Sequence, residues 1–202
     1  MQIDPRRTAL LLCDLQNDFI HPAGAYGRAG QAAAAIAALP ARLAPLAAAL
    51  RGQGGWIAAT LFTLVPGKAG EPFISDHLRQ LRPFLAKGDF APGSWGQQVV
   101  EALQPVDLAV EKVAYDAFHM SRLDWVLRKA GIETLAVAGI VTNGGVESTV
   151  RGAHVRDYHT IVLEDGCAAF SSAAHEAAIA SMRTMSAVTT IDGFAAALRE
   201  AP

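Results

Sequence analysis

Cysteine, charged residues and basic clusters are all scarce in this chain of 202 residues. Its two cysteines, Cys13 and Cys167, are too few for a disulfide framework and lack the spacing of a zinc site. Lysine and arginine form no cluster, so no nucleic-acid partner is expected. Because 51% of the residues are hydrophobic and only 18% are charged, the composition predicts a folded chain with a sizeable core.

No segment has the pattern of a membrane span or a secretion signal. The apolar stretch 33–50 contains Pro40, Arg42 and Pro45, which argues against a span. The opening "MQIDPRRTALLLCDL" turns acidic too early for a signal peptide. We therefore expect a cytoplasmic protein that does not bind membranes, with a single domain over residues 1–202.

Six apolar runs alternate with helical patterns along the chain. Strands are predicted at 8–15, 56–64, 107–114, 134–140, 159–165 and 187–191, and the helical patterns include 121–131, 172–185 and 193–201. Strands alternating with helices favour right-handed crossovers and a parallel sheet. The expected fold class is therefore α/β: a three-layer α/β/α, Rossmann-like domain whose parallel six-stranded sheet carries helices on both faces.

Residues 65–106 interrupt this alternation with a proline-rich stretch that has no clear periodicity. Long irregular excursions inside compact domains are more often functional than idle. The sequence therefore predicts that this loop lies near the active site, which in such sheets is found beyond the carboxyl ends of the strands.

Three predicted strand ends carry groups suited to catalysis. The first ends at Asp14, the third at Lys112, and the fourth at "VTNGG", which runs into a helix N-terminus whose N–H groups favour negative charge. Each has an ordinary interpretation when taken alone: a turn-forming aspartate, a solvated lysine and a glycine-containing turn. All three are expected at the same edge of one sheet, and together they predict a catalytic site.

The motifs "ALLLCDLQNDF" and "VEKVAYDAF" and the segment "AGIVTNGGVEST" occur in order and resemble the isochorismatase-like hydrolases, a superfamily that includes cysteine amidohydrolases. The resemblance implies that Asp14 and Lys112 are the catalytic aspartate and lysine. It places Gly145 where the amidohydrolases have their nucleophilic cysteine. It also implies a cis peptide bond between Ile140 and Val141, with the N–H groups of Val141 and Gly145 forming an oxyanion hole.

A glycine at the nucleophile position excludes a covalent acyl-enzyme formed through that residue. Cys13 is a poor substitute because strand alternation points it away from the face that carries Asp14, and Cys167 is expected to be a small packing residue. Isochorismatases proper, which the chain resembles in this respect, cleave a vinyl ether without a thiol. This reaction is the favoured interpretation, with Asp14 as proton donor, Lys112 orienting it and water adding to the substrate. Two alternatives stay open: hydrolysis of an amide or ureido bond by activated water, and a catalytically degenerate, ligand-binding paralogue.

The resemblance also suggests residues that border a small-molecule substrate. Four are predicted to bind it, although an aromatic residue among them could equally fill the core: Phe19, Trp95, Phe118 and Asn143. The basic residues Arg79, Arg82 and Lys87 of the excursion are candidates for binding a carboxylate.

Metal binding is not expected. The nicotinamidases of this superfamily hold a metal with an aspartate and a closely spaced histidine pair after the second strand. Here the corresponding stretch, "LFTLVPGKAGEPF", has no histidine, and the next one is His77. The prediction is therefore a cofactor-free hydrolase, and the resemblance implies a homo-oligomer.

Overall fold

The computed structural model describes residues 3–201, which form one six-stranded sheet with helices on both faces. The strands are β1 (Thr8–Cys13), β2 (Trp56–Phe62), β3 (Leu108–Lys112), β4 (Thr134–Ile140), β5 (His159–Ala168) and β6 (Ala187–Thr189). Their spatial order is β3-β2-β1-β4-β5-β6, and every neighbouring pair is parallel. The predicted fold class is confirmed.

Nine α-helical segments connect or flank these strands in the described part of the chain. They are α1 (Asn17–Ile20), α2 (Ala25–Arg28), α3 (Ala34–Ala37), α4 (Leu39–Gly52), α5 (Asp76–Leu81), α6 (Leu123–Lys129), α7 (Glu147–His154), α8 (Ser172–Met182) and α9 (Ile191–Arg199). Short 3₁₀ turns lie at Pro5–Arg7 and Glu101–Leu103, and a π-helical turn spans Thr142–Val146.

The sheet is buried on both faces because each strand supplies apolar side chains alternately to two separate cores. In β1, Leu10 and Leu12 pack on the side of α4 and α9, whereas Ala9, Leu11 and Cys13 pack on the side of α6, α7 and α8. All five side chains are fully buried. A near-continuous apolar run is therefore what this strand requires.

The stretch Ala34–Gly52 has the length and apolar composition of a membrane-spanning helix, with a mean hydropathy of 1.3. In the fold it is two helices, α3 and α4. Leu39, Leu43, Leu46 and Leu50 of α4 are buried in the first of the two cores. These leucines therefore pack against the sheet.

The chain at the carboxyl edge of the sheet departs from regular strand geometry at two residues. Asp14, just beyond β1, has a φ of +57°, and Gly139 in β4 has a φ of +124°. A Cβ on Gly139 would lie 2.2 Å from the carbonyl oxygen of Cys13, so β4 approaches β1 too closely there for any side chain. This approach brings the end of β4 next to Asp14.

Candidate active site

A pocket of about 360 Å³ opens at the carboxyl ends of β1, β3 and β4. Its floor includes the four residues that the sequence analysis assigned to catalysis: Asp14, Lys112, Val141 and Gly145. The volume lies at the small end of the range for small-molecule sites. The topology of the sheet therefore brings together groups that are about 130 residues apart in the chain.

Both carboxylate oxygens of Asp14 have a partner. Oδ1 accepts a hydrogen bond from Thr60 Oγ1 at 2.7 Å, and Oδ2 lies 2.8 Å from Lys112 Nζ. The carboxyl is buried, and this loss of hydration raises its pKa above the ordinary value, while Lys112 and Thr60 oppose the shift. Asp14 is consequently a stronger base than an exposed aspartate.

Lys112 is the last residue of β3 and is only 2% exposed. Besides the contact with Asp14, its Nζ donates to the carbonyl oxygens of Ala114 at 3.1 Å and Tyr115 at 3.2 Å. An ammonium group has three protons, so these three acceptors engage all of them. Lys112 therefore orients and neutralises Asp14 and has no donor left for an anionic ligand.

Gly145 is buried in the π-helical turn that follows β4, and the Ile140–Val141 peptide before that turn is cis, as the resemblance implied. A Cβ built on Gly145 would lie 3.0 Å from the Ile140 carbonyl oxygen and 3.1 Å from Asp14 Oδ2. Its distance from Lys112 Nζ would be 3.3 Å. A side chain at this position would thus press against both members of the Asp14–Lys112 ion pair, in contacts tighter than usual by a few tenths of an ångström.

Neither thiol reaches this pocket. Cys13 and Cys167 are both buried in the core on the side of α6, α7 and α8. Burial raises the pKa of the Cys13 thiol far above its usual range and that of Cys167 to about 12. A buried thiol with a raised pKa is a poor nucleophile.

The excursion 65–106 covers this chain's own pocket. It is less irregular than predicted, because Ser75 accepts a hydrogen bond from the N–H of Leu78 and caps α5. The excursion's contribution to the pocket wall comes from α5 and its flanks: Ser75, His77, Leu78, Leu81, Arg82 and Leu85. Arg82 lines the pocket, while Arg79 and Lys87 are exposed and do not.

Phe19, one of the residues predicted to bind the substrate, lines the pocket. Its ring centroid lies 4.9 Å from that of Tyr26, 6.0 Å from that of Phe62 and 4.5 Å from that of Phe90. This aromatic cluster gives one side of the pocket a rigid apolar wall.

Phe118, which the sequence analysis predicted to border the substrate, does not line this pocket. Phe118 is only 5% exposed and packs in the core, with its ring 5.8 Å from that of Tyr158 and 4.9 Å from the guanidinium carbon of Arg156. The N–H of Ala117 donates to Thr149 Oγ1 on α7, which ties the backbone before Phe118 to that helix. The aromatic side chain of Phe118 therefore packs in the core on the side of α6, α7 and α8.

Trp95 and Asn143 also lie outside the pocket. Asn17 Nδ2 donates to the backbone oxygen of Trp95. Trp95 is 48% exposed, and its ring meets that of His21 edge to face in a separate surface groove. Asn143 is exposed on the outer side of the π-helical turn. The hydrogen bond from Asn17 holds the backbone of Trp95 on the inner side, which leaves its side chain at the surface.

Thr60, Tyr26, Phe62 and Phe170 were missed by the sequence analysis. Thr60 could have been found from strand register, because β1 and β2 pair Cys13 with Thr60, next to Asp14. The three aromatic residues line the pocket from α2, β2 and the segment after β5. No motif in the sequence singles them out.

Within residues 3–201 no group of three or more histidine, cysteine, aspartate or glutamate side chains is arranged to hold a metal ion. The only carboxylate in the pocket lining is Asp14, and Lys112 and Thr60 already engage its oxygens. The carboxylate on the pocket floor is therefore part of an ion pair. That the site works without a cofactor stays a prediction.

Comparisons with known proteins agree with this geometry. A family model described as the isochorismatase domain matches residues 8–193. The chain is 35% identical over 195 residues to the ureidoacrylate amidohydrolase RutB of Methylobacterium radiotolerans, covering 90% of this chain and 75% of that protein.

Two solved structures are also similar. A cysteine hydrolase from Pseudomonas syringae pv. phaseolicola 1448A is 27% identical, with a TM-score of 0.84 and coverage of 100% of this chain and 97% of that one. An isochorismatase family protein from Burkholderia thailandensis is 27% identical, with a TM-score of 0.76 and 98% coverage of both chains.

Proposed function

The chain belongs to the isochorismatase family of hydrolases, and from that premise we propose that it hydrolyses a small molecule with water as the nucleophile and Asp14 as the general base. The observation that carries this proposal is the position of Gly145. A side chain there would touch both Asp14 Oδ2 and Lys112 Nζ. A cysteine would place its thiol in front of this pair, whereas glycine leaves the same space to the substrate and a water molecule.

The scissile bond we propose is the C–N bond of an amide or ureido group. Water adds its oxygen to the carbonyl carbon while one of its protons passes to Asp14 Oδ2. The N–H groups of Val141 and Gly145 stabilise the negative oxygen that forms. The C–N bond then breaks, and the proton held by Asp14 leaves with the amine.

Three observations support this choice. The relative that is 35% identical is a ureidoacrylate amidohydrolase. Lys112 lies 2.8 Å from Asp14 and favours its ionised form, as a general base requires. Burial raises the pKa of Asp14, which strengthens that base.

Vinyl-ether hydrolysis, the reaction favoured by sequence, is the second candidate. It requires Asp14 to deliver a proton to the enol carbon before water adds. The raised pKa of the buried carboxyl favours this role, since burial stabilises the protonated form. The two candidates therefore differ in the protonation state of Asp14 before the reaction: ionised for amide hydrolysis and protonated for vinyl-ether hydrolysis.

The test measures ammonia release from ureidoacrylate and pyruvate release from isochorismate, using wild type, Asp14→Asn and the exposed control Asp192→Asn. We expect ammonia from wild type and the control, and a rate about 10²–10⁴ lower in Asp14→Asn. Pyruvate release lost in the same variant would establish the second candidate instead. If neither product formed and ligand binding were unchanged in Asp14→Asn, the chain would be a binding paralogue and the proposal would fail.

A further inference from the structure

Arg82 is the cation of the pocket wall that has no carboxylate partner within residues 3–201. Some other arginines of the described chain form ion pairs, such as Arg28 with Asp89 and Arg42 with Asp165. Arg82 instead donates from Nε to the hydroxyl of Tyr26 at 2.9 Å and from Nη1 to the carbonyl oxygen of Leu81 at 3.0 Å. Nη2 donates to no group in the described part of the chain.

The guanidinium of Arg82 is held in place by aromatic rings. The ring of Phe170 stacks on that of Tyr26, with centroids 5.5 Å apart and planes 11° apart. The guanidinium carbon of Arg82 lies 5.8 Å from the centroid of Phe170. An arginine fixed in this way loses little conformational entropy when it binds a ligand.

The charges of the pocket leave one positive charge uncompensated. Asp14 and Lys112 neutralise each other, and the three protons of Lys112 are already engaged. Among the charged residues that line the pocket, this leaves Arg82 to attract an anion. A single arginine with free N–H groups matches one carboxylate.

We infer that Arg82 binds a carboxylate of the substrate, so that the preferred substrates are small monocarboxylates whose hydrolysable group extends to Gly145. The inference rests on the proposed function for the position of the scissile bond. Arg82 is here a residue that determines specificity. The apolar wall formed by Phe19, Phe62 and Leu85 requires the body of such a substrate to be uncharged.

The first test uses crotonate, a small planar monocarboxylate, and crotyl alcohol, its neutral counterpart. Neither has a bond that the proposed reaction would cleave, so binding is measured independently of catalysis. Ligand-observed NMR titrations compare the wild type, Arg82→Gln and Arg79→Gln; Arg79 is an exposed arginine on α5, the helix that ends just before Arg82. We expect wild type and Arg79→Gln to prefer crotonate by at least about tenfold, and Arg82→Gln to lose this preference.

Three results would overturn the inference: no crotonate binding to wild type, equal binding of the two compounds, or a preference that survives in Arg82→Gln. Inorganic phosphate binding as tightly as crotonate would also overturn it. Tyr26→Phe serves as a second variant should Arg82→Gln unfold, because it removes the hydroxyl that holds Nε and keeps the ring stack. It should reduce the crotonate preference by severalfold; an unchanged preference contradicts the inference. The proposed function fails separately, if Asp14→Asn keeps full turnover.

Discussion

Replacing Lys112 with methionine should destabilise the protein strongly, because it leaves a carboxylate alone in the interior. Lys112 is 2% exposed, and it also satisfies the carbonyl oxygens of Ala114 and Tyr115. Removing one partner of a buried ion pair typically costs about 3–5 kcal/mol. This is a large share of the roughly 5–15 kcal/mol by which domains are usually stable.

Urea unfolding followed by circular dichroism measures this loss. With a slope of about 2 kcal/mol per molar urea, the midpoint should fall by about 1.5–2.5 M. The exposed control Lys129→Met should change stability by less than about 0.5 kcal/mol. The double variant Asp14→Asn/Lys112→Met should recover much of the loss, since it no longer buries an unpaired charge.

The loss should also depend on pH. Without Lys112 the pKa of the buried Asp14 is raised further, so the folded state prefers the protonated carboxyl. The stability contributed by that protonated form is fully present below the unfolded pKa of about 3.9 and disappears as pH rises through the folded pKa. The Lys112→Met penalty should therefore grow from pH 4 to pH 8. A penalty below about 1 kcal/mol at pH 8, or a double variant no more stable than Lys112→Met, would refute this reasoning.

Three further predictions address the site. Gly145→Cys should gain activity on amides relative to Gly145→Ala, which introduces the same crowded Cβ without a thiol; equal rates would argue against a nucleophile position at this residue. If Asp14 is the base, activity should fall as pH drops through its raised pKa. Thr60→Val should move this fall to higher pH, because it removes the hydrogen bond from Thr60 that lowers the pKa of Asp14. A loss of activity as pH rises would instead indicate that Asp14 acts as a proton donor. Phe118→Ala should cost about 3–5 kcal/mol of stability while KM stays unchanged, as measured by thermal unfolding and initial rates.

The polar groups at strand ends could be predicted from sequence because the sheet itself determines where they lie. Strands buried on both faces appear as apolar runs, and β4 was predicted with its observed bounds, 134–140. Asp14 and Lys112 follow or end such runs, so a parallel sheet places them at one edge. The fold, and the positions of Asp14 and Lys112 on the pocket floor, could therefore be predicted from the apolar runs and the polar residues at their ends.

The walls could not be predicted in the same way. An aromatic residue gains free energy by burial in a core as well as beside a ligand, so residue type alone does not separate Phe118 from Phe19. The outward position of the Trp95 side chain depends on a hydrogen bond from Asn17 to the backbone oxygen of Trp95. These two residues are 78 positions apart in the chain. Thr60 has no signal within its own strand, and it becomes visible only when β1 and β2 are aligned side by side.

The floor and the wall of the pocket come from different kinds of structure. The floor, with Asp14 and Lys112, is held by buried strands of the sheet, whereas much of the wall belongs to α5 and its flanks within the excursion 65–106. Surface segments tolerate substitution, insertion and deletion far better than buried strands do. Substitutions in the excursion can therefore alter the size, shape and charge of the pocket wall while the sheet keeps Asp14 and Lys112 in place. The part of the pocket that contacts a ligand and the part that holds the ion pair are thus free to change at different rates.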